Sequence, residues 1–122
     1  MSFKSLDALK TQLPIHLTIV TPDGLKNGEV WVRSNQKRRV SWFVVDALSG
    51  QKMTAANDRG SELLMMKTFP TYGIGDPKIF VKWVKTQLAK DKPTLIVPCH
   101  GSITANQQMV PAVLEILGRL KT

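Results

Sequence analysis

The sequence predicts a mixed α/β fold of α+β character, a single sheet of about five strands covered by helices. Three observations point there. β-rich runs broken by Gly-bearing turns fill the first half, an amphipathic helix opened by Asp76 and Pro77 follows, and a short apolar strand then leads into a C-terminal helix. The 122 residues suit one domain, residues 1–122, and a hydrophobic content of 43% is enough for one core but cramped for two.

Taken in order, Leu6, Leu9 and Leu13 fall at helical spacing between Ser5, a natural N-cap, and Pro14, a stop, so a short packing helix is expected there. Ile15 to Val20 reads as a strand, and the turn residues Pro22, Asp23, Gly24, Asn27 and Gly28 lead to a second strand over Glu29 to Arg33. A polar turn over Ser34 to Arg39 precedes Val40 to Val45, whose near-continuous apolar character suits a strand buried on both faces and ended by Asp46. Ser49 to Gly60 is polar and mixed, and Leu63 to Met66 fits either a short strand or a helical turn before Pro70.

Beyond Asp76, Phe80, Trp83, Val84 and Leu88 share one helical face while Lys78, Lys82 and Lys85 lie elsewhere, and Lys92 and Pro93 end the helix. Thr94 to Val97 forms the next strand, with Cys99, His100 and Gly101 just past its end. Thr104 or Asn106 can then cap a final helix carrying Met109, Val113, Ile116, Leu117 and Leu120, with Pro111 tolerated in its first turns.

Composition bounds the function classes. No run reaches the roughly 18 apolar residues of a membrane span, and the N-terminus lacks a secretory h-region, so a cytoplasmic address without membrane contact is expected. One cysteine, Cys99, allows neither an intrachain disulfide nor a cysteine-based zinc cage. The net charge of +8 makes acidic partners or nucleic acid physically plausible, and the only dense basic cluster is Lys37, Arg38 and Arg39, a candidate anion-binding patch set against a merely solubilising charge.

In open sheets, functional groups gather beyond the carboxyl ends of strands. Asp46 follows WFVV and His100 follows LIVPC, so each is delivered to such an end; brought together at one rim, they suit a shared divalent metal or an acid and base pair. The plainer readings are a turn-capping Asp and a structurally bonded His. His16 reads as a strand histidine, and Cys99, adjacent to His100, is poorly placed to pair with it as a nucleophile. Ser102 lacks a GxSxG elbow, TYGIGD is a weak phosphate-loop match, and both read as turns. Met65, Met66, Trp31, Trp42 and Trp83 read as core.

At these residues the sequence resembles the metallo-β-lactamase fold. The passage PDGLKNGEVWVRSNQKRRVSWFVVDAL resembles the segment that delivers a metal-bridging aspartate, in the place of Asp46. DPKIFVKWVKTQLAKDKPTLIVPCHGSI resembles the closing helix, strand and HG motif, whose histidine ligand corresponds to His100. The HxHxDH signature is absent, Gly24 and Leu25 stand where another histidine ligand is expected, and Val45 replaces a glycine. The resemblance therefore implies half of an αββα sandwich, with Asp46 and His100 as catalytic and metal-ligating residues of an incomplete or degenerate hydrolase domain, inactive alone. A divalent zinc, iron or manganese ion and a missing N-terminal half are implied with it. The competing readings are a basic, non-catalytic module for an acidic partner or nucleic acid, and a homo-oligomer that buries the sheet surface left uncovered.

Overall fold

The computed structural model describes residues 16–51, 59–60 and 62–122. Strands β1 (Leu17–Val20), β2 (Trp31–Gln36) and β3 (Arg39–Phe43) form an antiparallel meander. Two two-residue strands, β4 (Ser49–Gly50) and β6 (Leu63–Leu64), pair as a separate ribbon, with β5 (Arg59–Gly60) between them in sequence. After the one-turn helix α1 (Phe69–Tyr72) and the long α2 (Pro77–Asp91), β7 (Leu95–Val97) lies parallel to β3. β8 (Ile103–Ala105) returns antiparallel to β7, and α3 (Met109–Gly118) closes the chain. The main sheet has the order β1-β2-β3-β7-β8-β5, five strands of three to six residues with the two-residue β5 at one edge. The helix expected over Ser5–Leu13 lies outside the described residues, as does most of the polar stretch after Ser49. Among the described residues no helix is long and apolar enough to cross a membrane.

Register sets the two faces of the sheet. Paired residues share a face, so Trp42 and Ile96 stand together in the core, and Phe43 and Val97 stand together on the other side. Trp31, Val40, Trp42, Val44 and Ile96 are buried with Phe80, Val84 and Leu88 of α2 and Met109, Val113, Ile116 and Leu117 of α3. The Trp31 ring sits 5.6 Å from Trp42, 5.4 Å from Trp83 and 6.5 Å from Phe80, tilted or edge-on, which suits the quadrupoles of aromatic rings.

Four sequence expectations need correction. The third strand is buried on one face only: Arg39 is exposed and Phe43 is 42% exposed, because the core lies on a single side of the sheet. The second strand begins at Trp31, since Glu29 is drawn inward to serve a loop, and it continues to Gln36. The polar turn therefore shrinks to Lys37 and Arg38, with Gln36 paired to Arg39. Thr104 caps no helix; it is buried in β8, where pairing with Ile96 satisfies the ladder of β7. The α3 cap is Gln108, whose N–H donates to the Asn106 side chain at 2.7 Å. Leu63 and Leu64 resolve as a short strand.

α2 is fastened at both ends. Asp76 accepts the Ile79 N–H at 3.1 Å and Pro77 takes the first turn, where no N–H is missed. The Gly24 carbonyl accepts from the Gly75 and Asp76 amides at 2.8 and 2.9 Å. Gly24 has φ +81°, and a Cβ there would lie 2.6 Å from backbone atoms of Asp76 and Phe80, so only glycine fits. At the other end buried Asp91 accepts from Arg33 Nε at 2.6 Å and Trp42 Nε1 at 3.0 Å, clasping the helix to the sheet. Lys92, at φ 47°, then turns the chain into β7.

Candidate functional site

Parallel pairing continues past the formal ends of β3 and β7 and carries both loops to one rim. Val44 donates to the Val97 carbonyl at 2.9 Å, Cys99 to Val45 at 3.4 Å, Gly50 to His100 at 3.0 Å, and Ser102 to Gln51 at 2.8 Å. The two backbones cross almost in contact at Gly50 and Gly101. A Cβ on Gly101 would meet the Gly50 carbonyl oxygen at 2.1 Å, and Gly101 also holds φ +81°. The glycine after His100 is therefore a packing requirement of this crossing.

Here Asp46 Oδ1 and His100 Nε2 lie 3.0 Å apart, an ion pair whenever the imidazole is protonated. The Asp46 side chain is 26% exposed and that of His100 58%, so the pair is open to solutes. Tyr72, at the end of α1, lies near enough to Asp46 for that carboxylate to act on its phenol. Its phenol is held above the ordinary value by partial desolvation first and then by the charges of Asp46 and Glu29.

Glu29 sets the position of the Asp46 loop. Its buried carboxylate accepts from Asn27 Nδ2 and Trp31 Nε1 at 2.7 Å each, and from the Asp46 and Ala47 amides at 3.3 and 3.2 Å. Four donors on one carboxylate lock the backbone that presents Asp46. Sequence reasoning took Glu29 for a strand residue and passed over Tyr72. No local signal marked Glu29, because an acidic residue between a turn and a strand reads equally well as exposed.

The other candidates fall as follows. Cys99 is exposed beside His100, Ser102 is only 1% exposed and so offers no nucleophile, and His16 is half-buried, its carbonyl accepting the Asn35 amide. The tryptophans Trp31 and Trp42 are core, with Trp83, Met65 and Met66 packed against it. Lys37, Arg38 and Arg39 lie at the opposite rim, in the β2–β3 turn and at the start of β3: Lys37 lines a groove with Ser34 and Ser41, Arg38 lines another with Lys92, and Arg39 borders both.

Among the described residues no group of three or more His, Cys, Asp or Glu side chains is arranged to hold a metal ion. A catalytic zinc takes three protein ligands. Asp46 and His100 supply two, which does not fit a complete metal site. No family model matches the chain, and no curated protein or solved structure is significantly similar to it.

Proposed function

We propose that this chain is an incomplete metallo-β-lactamase-like hydrolase half, contributing Asp46 and His100 to a site that another polypeptide segment completes, and without hydrolytic turnover of its own. The observation that carries the reading is the 3.0 Å contact between these two side chains, which are far apart in sequence and arrive on different strands. Two further features support it. The pair lies beyond the carboxyl ends of parallel strands, where open sheets gather functional groups. The face of the sheet away from the core is apolar, with Ile19, Val32 and Val97 half-buried and Phe43 exposed, a surface for a missing half or a second copy to cover.

Within such a site the Asp46 carboxylate orients the His100 ring through one nitrogen and leaves the other for a ligand or a proton. Zinc titration by calorimetry tests the reading. Weak binding, reduced at least tenfold by Asp46→Ala and by His100→Ala, is expected, together with background rates on 4-nitrophenyl acetate. Zinc binding indifferent to both substitutions, or metal-dependent ester turnover by the chain alone, contradicts it.

A further inference from the structure

We infer that the opposite rim of the sheet is a binding site for the phosphate group of a small molecule, a monoester or diphosphate, held by Arg38, Arg39 and Lys92 beside the N-terminus of α3. These cations reach one groove of about 530 Å³ from two different connections, the β2–β3 turn and the α2–β7 turn. Thr94, Asn106 and Gln107 add polar lining, and among the described residues no carboxylate lines the groove. None of the three cations takes part in an ion pair among the described residues, whose salt bridges are Arg33 with Asp91, His100 with Asp46 and Arg119 with Glu115. Three cations with no ion-pair partner among the described residues set a positive potential on one groove that a dianion relieves.

Backbone geometry sets where these cations stand. Lys37 and Arg38 occupy a two-residue hairpin loop at φ 51° and 64°, and Lys92 sits at φ 47°. Such positions favour Gly or Asn, and a long cationic side chain there carries a strain that a relaxed turn avoids. Of the three left-handed non-glycine residues described, Arg38 and Lys92 face this groove. The strain falls where the charges converge.

α3 supplies the third element. Its ten residues have no acidic side chain in the first turn; the Gln108 and Met109 amides already donate to Asn106 and Pro111 has no N–H, so the helix end contributes its dipole and not a set of free donors. Asn106 and Gln107, which line the groove, immediately precede it. Guanidinium forks pair bidentately with phosphate oxygens, and cations arriving from two connections suit a dianion with oxygens on several sides. A small ligand fits better than a nucleic-acid strand. The groove has the size of an ordinary ligand pocket, no aromatic ring lines it to stack a base, and Lys37 diverges to the other side of the turn.

The test is an amide NMR titration of the full chain with sodium pyrophosphate at constant ionic strength. Saturable shifts confined to residues around Arg38, Lys92 and Gln107 are expected, with a Kd below about 1 mM. Arg38→Ala and Lys92→Gln each weaken binding at least tenfold, whereas Lys85→Ala on α2 leaves it unchanged; unaltered amide shifts in the core show that the variants are folded. Should Arg38→Ala unfold the chain, Arg38→Gly carries the same comparison. Shifts that never saturate, or equal weakening by Lys85→Ala, overturn the site. A single-stranded decanucleotide that binds more tightly than pyrophosphate, with affinity growing with length, overturns it in favour of a nucleic-acid track.

Discussion

At the rim beyond the carboxyl ends of β3 and β7, Asp46 and His100 stand on loops tied by backbone hydrogen bonds, by a buried carboxylate and by a crossing of two glycines. At the other rim, Arg38 and Lys92 stand on short exposed turns held in left-handed conformations. The first rim spends buried polar interactions to fix two opposite groups at contact distance, and the second tolerates strain to keep like charges close. Each arrangement is held by a different force, so each breaks differently: the first by removing a packing or hydrogen-bonding partner, the second by relieving strain and losing charge.

The glycine crossing should give the largest effect. Gly101→Ala places a Cβ against the Gly50 carbonyl and a side chain at φ +81°, so a loss of roughly 3 to 5 kcal/mol is expected from overpacking and strain together. Urea unfolding measures it, and a loss under about 1 kcal/mol contradicts the close crossing. Next comes Glu29→Ala, which strands the Trp31 indole N–H and the Asp46 and Ala47 amides. A cost of about 3 kcal/mol is expected, along with weaker zinc binding. Retained stability would show that the loop holds itself.

Tyr72 gives a smaller, spectroscopic effect. It is the only tyrosine, so its absorbance change near 295 nm reports one group. The folded phenol ionises above its ordinary value, and Asp46→Asn should bring the midpoint down. Because the folded value is raised, the contribution of Tyr72 to stability is complete below the unfolded value of about 10 and fades as pH climbs through the folded one. A midpoint that ignores Asp46→Asn removes Tyr72 from the site. The smallest effect is expected at the other rim, with opposite sign: Arg38→Gly relaxes the turn and stabilises by about 1 kcal/mol, read as a higher unfolding midpoint, while pyrophosphate binding falls.

Much of this was legible in the sequence because its signals are local. Asp76 with Pro77 fixes the start of α2, and a run of apolar residues delivers Asp46 and His100 to strand ends, which parallel pairing of the two strands then brings to one rim. What escaped depends on long-range partners. β8 has only three residues, and Thr104 becomes a buried strand residue through its pairing with Ile96. Glu29 looked like a strand residue until the indole and two distant amides converged on it. The basic triplet is legible as a cluster, but that Lys92 joins Arg38 and Arg39 on one groove depends on the pairing of β3 with β7. The apolar third strand suggested burial on both faces, yet the run alone carries no information on which face the helices cover.

A double-substitution cycle on zinc affinity tests the joint action of Asp46 and His100 most directly. With Asp46→Ala, His100→Ala and the double variant titrated side by side, one shared site predicts that either single change removes nearly as much affinity as both together. Losses that simply add, or a double variant that binds zinc as the parent does, contradict it.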